Sequence, residues 1–243
     1  MEDWTDRTKL LLGAEKMKLL SDAHVLVVGL GGVGAWAAET LCRSGIGALT
    51  LVDGDTVHTT NLNRQLPATT DTIGMPKVTV MEQRLRAINP KIKLTPWVQY
   101  LKDDAIPALL DAAPYDFVVD AIDTLAPKVF LAFQSLQRNL PLVCSLGAGG
   151  RTDPTQVRIC DVADSYNDKL GFYFRKRLHR LGIRTGFPVV FSTEKPLESA
   201  VIQVENEENQ KSVRGTIAYM PALFGLYCAS VVIQRLTSKK EIQ

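Results

Sequence analysis

Arg64 and Lys77 are the two residues whose type and placement speak most directly of chemistry. They stand in short polar stretches, Asn61-Leu62-Asn63-Arg64-Gln65 and Gly74-Met75-Pro76-Lys77, which follow an apolar run ending in Asp53. Arginine grips phosphate through a planar fork of donors, and lysine adds a compact charge. Hydride transfer has no need of two cations at such a place, whereas stabilising a triphosphate does. A solvated loop with ordinary surface charges would carry the same pair. Further on, Asp120-Ala121-Ile122-Asp123 closes an apolar stretch. Two carboxylates at the end of a strand suit Mg2+ bound through oxygens and water. The alternative is that Asp123 caps the helix that follows.

Both pairs gain meaning from Val25–Gly34, VLVVGLGGVG. An apolar strand runs into Gly29, Gly31, Gly32 and Gly34, and such a backbone presents bare N–H groups at the start of a helix, where anions bind. Asp53 ends the next strand, Ala48–Asp53, close to the spacing at which an acid takes ribose hydroxyls. NAD, FAD and ATP all fit this pattern, and a tight structural turn would also use glycine. A third feature lies downstream. Lys169, Arg175, Lys176, Arg177, His179, Arg180 and Arg184 fall within a stretch that holds no acid. Such a cluster neutralises several nucleic-acid phosphates. Phe172, Tyr173 and Phe174 interleave with it as candidates for base stacking, although aromatics at this spacing commonly fill a core. A solvated helix face is the alternative for the whole run.

These residues need a scaffold, and the pattern supplies one. After a helical lead-in, Met1–Ser21, whose Leu10, Leu11, Leu12, Leu19 and Leu20 are expected to pack on the body, strands and helices alternate. Strands are predicted at 25–29, 48–53, 93–99, 117–120 and 142–145, with helices at 33–44, 76–88, 104–111 and 127–139 between them. This rhythm implies an α/β fold: a doubly wound, mostly parallel Rossmann-like sheet with helices on both faces and crevices at the strand C-termini. After residue 150 the rhythm changes into a C-terminal extension. It holds strands near 156–161 and 189–193, the basic helical stretch, and a polar segment, 204–214, expected to be a mobile loop. No linker divides the chain, so 1–243 reads as one domain, with 1–150 the nucleotide-binding core.

Composition sets outer limits. The 243 residues carry a formal charge of +2, so any nucleic-acid surface must be local. Cys42, Cys144, Cys160 and Cys228 are scattered without a C-x-x-C pair, which gives no zinc signature and suits buried thiols in a reducing cytoplasm. The charged start, MEDWTDRTK, does not read as a secretory signal. Thr216–Ile233 runs without a charge and reads either as a core helix or as a short membrane span.

The Gly-rich loop, the acid, N-x-x-R-Q, G-x-x-K and D-x-x-D occur here in that order, and over residues 5–150 the chain resembles the ubiquitin-activating-like adenylating enzymes. The resemblance implies ATP and Mg2+ as cofactors. It implies that Asp53 holds the ribose, that Arg64 and Lys77 bind phosphates, and that Asp123 helps hold the metal, with Asp55, Asn61 and Gln65 beside them. It also implies a homodimer in which Arg7 reaches the partner's site. The sulfur-carrier activators of that family carry paired C-x-x-C motifs, which are lacking here. The segments GAGGRTDPTQ and VFSTE, from Gly147 and Val190, instead resemble the tRNA threonylcarbamoyladenosine dehydratases. That branch implies ATP-dependent cyclisation of the modified adenosine through an acyl-adenylate, with loss of water. It further implies tRNA contacts from Lys169, Arg175, Lys176, Arg177, Arg180 and Arg184, and in some members a sulfur-transfer partner protein. No stable membrane insertion is expected. Adenylation of the Gly-Gly tail of a ubiquitin-like sulfur carrier is the alternative function.

Overall fold

The computed structural model describes residues 3–102, 104–203 and 212–238. Seven strands form one sheet in the order β3-β2-β1-β4-β5-β7-β6. They span β1 His24–Val28, β2 Ala48–Asp53, β3 Lys93–Val98, β4 Phe117–Asp120, β5 Leu142–Ser145, β6 Val157–Asp161 and β7 Pro188–Ser192. All neighbours run parallel except β6, which pairs antiparallel with β7. The fold is therefore the expected doubly wound one. Its chain order reverses between β1 and β4, and in such sheets the crevice outside that switch point receives ligands.

Helices cover both faces: α1 Asp6–Leu12, α2 Ala14–Asp22, α3 Gly34–Arg43, α4 Lys77–Ile88, α5 Ala105–Asp111, α6 Leu125–Gln137, α7 Lys169–Arg180 and α8 Tyr219–Thr237. The two-residue period of a strand divides its side chains between two cores. Val25 and Val27 of β1 join the core under α2, α3, α4 and α8, while Leu26 and Val28 join the one under α5, α6 and α7. Burying each such side chain contributes roughly 1.5–3 kcal/mol, which is why a β-branched run sits at the centre of the sheet.

One open reading is decided and one expectation changes here. The apolar stretch 216–233 is α8, a core helix. Met220, Phe224, Cys228, Ala229 and Val232 are buried, and a Cβ at Gly225 would stand 2.3 Å from the Val33 carbonyl oxygen. Only glycine lets α8 approach α3 so closely, so the membrane-span reading gives way to packing. The lead-in is two helices rather than one, broken at Gly13, whose φ of 85° favours glycine. Leu20 is fully buried, but Leu10 is 79% and Leu11 83% exposed, so these two do not pack on their own chain.

Residues 204–211 of the polar stretch expected to be a loop lie outside the described residues, and its end, Ser212–Arg214, is strand β9, paired with β8 Val201–Gln203. Cys42, Cys144 and Cys228 are buried and Cys160 half-buried, all as free thiols. Burial pushes Cys42 and Cys160 up to about 11 and Cys228 to about 12, so these are packing thiols, not nucleophiles.

Candidate functional site

The glycines at the end of β1 do different work. A Cβ on Gly34 would stand 1.7 Å from the Gly29 carbonyl oxygen, and one on Gly29 would stand 2.8 Å from that of Ala121. Gly29 also has a φ of 89°. These two let α3 and β4 close on the loop. A Cβ on Gly32 would stand 2.9 Å from Pro221 Cβ of α8. A Cβ on Gly31 would meet only the Gln65 carboxamide nitrogen, at an ordinary contact distance of 3.8 Å. Among the described residues, the N–H groups of Gly31, Gly32 and Val33 have no protein acceptor. Gly31→Ala should therefore leave the melting temperature unchanged while weakening ATP binding, as read by calorimetry. Gly34→Ala should instead unfold the protein.

Asp53 ends β2 beside this loop. Its Oδ2 accepts the Leu30 N–H at 2.6 Å and its Oδ1 the Asp55 N–H at 2.8 Å. Burial lifts its carboxyl above the usual range, although both N–H groups and Lys77 oppose the lift. The stretch after β2 folds back on the start of α4. Val57 N–H donates to the Met75 carbonyl and Lys77 N–H to that of Asp55. This strap places the Lys77 ammonium, itself buried, 2.7 Å from Asp55 Oδ2. Tyr100 donates its hydroxyl to Asp55 Oδ1 at 2.7 Å, and that bond pushes the phenol up to about 12.

Arg64 is half-buried, its Nη1 donating to the Thr60 carbonyl and to Asn63 Oδ1, both at 2.8 Å. Burial lowers its pKa and the charge of Asp123 raises it; Asp123 follows Ala121, whose backbone lies against Gly29. Gln65 Oε1 is buried and, among the described residues, without a partner. Gly31, Asp53, Asp55, Arg64, Gln65, Lys77 and Asp123 thus converge on the crevice.

Of Asn61, Asp120 and Arg7, only Asp120 departs from its predicted role. Asn61 is buried, and its Oδ1 accepts the His58 N–H at 3.0 Å, so it shapes the loop that carries Arg64. Asp120, the first acid of D-x-x-D, is fully buried and paired with Lys128 at 2.9 Å. Its charge is already neutralised and cannot serve a metal, and the capping role fails as well, because Thr124 is the residue at the start of α6 and Asp123 stays exposed. Arg7 is exposed on α1, beside Thr5, which reaches Gly45 at the far end of α3 from the glycine loop. It does not enter its own chain's crevice.

Among the described residues no group of three His, Cys, Asp or Glu side chains could cage a metal. A single exposed carboxylate, Asp123, fits Mg2+ shared with phosphates, which that ion accepts readily.

Helix α7 presents the basic surface. Gly171, Phe174 and Leu178 face inward, while Lys169, Lys176, Arg177, His179, Arg180 and the following Arg184 are exposed or partly so. Arg175 departs from expectation. It is half-buried, with Nη1 on Ser165 Oγ at 2.5 Å, and so leaves the outward set. Phe174 fills the core; Phe172 and Tyr173 are exposed and meet edge-on, with ring centroids 5.3 Å apart.

The sequence does not reveal how α7 is tied to the site. Arg151, almost fully buried, donates to Asp168 Oδ2 at 3.1 Å, to the Asn167 carbonyl at 2.8 Å, to that of Glu194 at 3.1 Å and to that of Gly147. Asp168 in turn accepts the Gly171 N–H and caps α7. One guanidinium joins the loop after β5, the end of β7 and the start of the basic helix.

A doubly wound sheet with bare N–H groups, an acid and two cations at its switch point has the architecture of a nucleotide-binding α/β protein. The chain belongs to the ThiF family, whose model matches residues 6–243. It is 36% identical to the tRNA threonylcarbamoyladenosine dehydratase of Bacillus subtilis, over 98% of this chain and 96% of that protein. The crystal structure of the Escherichia coli tRNA N6-threonylcarbamoyladenosine dehydratase in complex with ATP superposes with a TM-score of 0.89 at 36% identity, covering 98% of this chain and 95% of that one. The sulfur carrier protein ThiS adenylyltransferase of Escherichia coli is 40% identical, but over 56% of this chain and 54% of that protein.

Proposed function

We propose that the protein is an ATP-dependent tRNA threonylcarbamoyladenosine dehydratase. One observation carries the choice of substrate. Similarity to the dehydratases runs through the loop after β5, α7 and β7, whereas similarity to the sulfur-carrier activator covers 56% of the chain. Residues 1–150 form the adenylating core, and 151–243 supply substrate binding and dimer packing within one domain.

The substrate's threonyl carboxylate attacks the α-phosphate of ATP. A bond forms from carboxylate oxygen to phosphorus, and the bond to the pyrophosphate oxygen breaks. Arg64 and Lys77 draw the phosphate charge, and Asp53 takes the ribose. Mg2+ held by Asp123 supplies further charge neutralisation when bound. An atom of the substrate's own urea then attacks the activated carbonyl, AMP leaves with the carboxylate oxygen, and a proton is released. The net change is loss of water. Because the second nucleophile is tethered, no cysteine is required.

The protein acts as a homodimer in this reading. Trp4, Leu10, Leu11 and Leu19 leave apolar side chains exposed just before and along α1 and α2, and Arg7 on α1 is placed to serve a neighbouring copy. Four free thiols suit the cytoplasm. The exposed cations of α7 contact tRNA phosphates.

The test is to mix purified protein, Mg2+-ATP and tRNA bearing threonylcarbamoyladenosine, then weigh the digested nucleosides. ATP-dependent loss of one water with AMP formation is expected. An unchanged mass, with AMP formed on a Gly-Gly-tailed carrier protein, would move the assignment to sulfur-carrier activation.

A further inference from the structure

A cleft of about 490 Å3 opens between the loop after β5 and the segment that leads into α8. Asn63, Gly150, Leu197, Thr216, Ile217 and Ala218 are in its wall. Its size is that of a small-molecule site. Its frame is hydrogen-bonded backbone: the Gly150 N–H donates to the Gly215 carbonyl, and the Leu197 N–H to that of Gly150, both at 2.8 Å. Leu197 and Ile217 supply apolar surface and Thr216 a hydroxyl. Among the described residues Arg151 is the only charged one in the wall, and its charge is committed to Asp168.

Asn63 joins this cleft to the phosphate site. Its Oδ1 accepts from Arg64 Nη1 at 2.8 Å, and its Nδ2 donates to the Thr216 carbonyl at 2.9 Å. The position is one of the unspecified ones in N-x-x-R-Q, so the motif gives it no role. A ligand bringing its own carboxylate finds no uncommitted cation among the described residues of the wall. The guanidinium that lies next to the cleft is that of Arg64, reached past Asn63.

We infer that this cleft seats the threonylcarbamoyl arm of the modified adenosine, and that Asn63 aims the arm's carboxylate toward the phosphates at Arg64. The inference rests on the dehydratase reading above. The arm's methyl lies against Leu197 and Ile217, and its hydroxyl and urea meet Thr216 and the backbone of the frame.

The experiment fills the cleft from its rim. Ala218 is exposed and precedes α8, so Ala218→Trp adds bulk without entering the core. Dehydration of threonylcarbamoyladenosine-bearing tRNA should fall at least ~100-fold. ATP affinity, measured by calorimetry without tRNA, and tRNA affinity by filter retention should both hold. Asn63→Ala should lower kcat about tenfold, the loss of one well-placed hydrogen bond, with tRNA affinity unchanged. If Ala218→Trp lowers the melting temperature, Ile217→Trp is measured under the same criterion. Dehydration at the wild-type rate by a folded cleft-filling variant overturns the assignment. Wild-type protein that leaves this tRNA unchanged removes the dehydratase reading itself, a distinct result.

Discussion

Replacing Lys77 by alanine is expected to slow adenylate formation about 10²–10³-fold, the usual effect of removing one charged donor from a developing phosphate charge. The loss should fall at the upper end of that range. Lys77 Nζ lies 2.7 Å from Asp55 Oδ2, and together with the Tyr100 hydroxyl it outweighs burial and holds the Asp55 carboxyl below its ordinary range. Removing the ammonium therefore deletes a cation and leaves a carboxylate facing the triphosphate. Asp55 is 38% exposed, so water can solvate the stranded charge and the fold should survive. The double variant Lys77→Ala/Asp55→Asn should recover part of the loss, because the repelling charge is gone. Pyrophosphate release on mixing with substrate tRNA measures the step. A Lys77→Ala rate within threefold of wild type would sink the phosphate role.

The same pair shows what the chain makes legible and what it hides. Gly31, Asp53, Arg64 and Lys77 are legible because strand, glycine, acid and cation recur at spacings set by two successive βαβ units, a local geometry. Asp120 misleads for a different reason. Lys128, one helical turn into α6, folds its ammonium back to Asp120 Oδ2 and to the Ile122 carbonyl at 3.0 Å, and a formula of two acids cannot show that neutralisation. Its position inside an apolar helix is the available signal, since a lysine there must find a partner. Arg175 falls in with its neighbours because charge runs are read by composition. Periodicity sets it apart, as it follows Phe174 and Gly171 toward the buried side and reaches Ser165. Arg151 offers no local sign, since all its partners but the Gly147 carbonyl come from segments distant in sequence.

That difference between inward and outward cations yields the second large effect. Reversing Lys176, Arg177 and Arg180 to glutamate should weaken tRNA binding by roughly two orders of magnitude at moderate salt. Each cation withdrawn from a phosphate also takes about one unit from the slope of log affinity against log salt. The three side chains are exposed, and the buried face of α7 is Gly171, Phe174 and Leu178, so the helix should stay docked on α6. Arg175→Met supplies the contrast: it alters a half-buried residue of the same helix and should leave the salt slope unchanged. The anchor matters as much as the charges. Asp168, which caps α7, is held by Arg151, and Arg151 holds the Gly147 carbonyl. RNA bound along α7 would be seated on the node that also holds the loop after β5, so the charges that grip the strand would also set where its modified base meets the crevice. Equal salt slopes for the triple reversal and the wild type would show that the RNA takes another path.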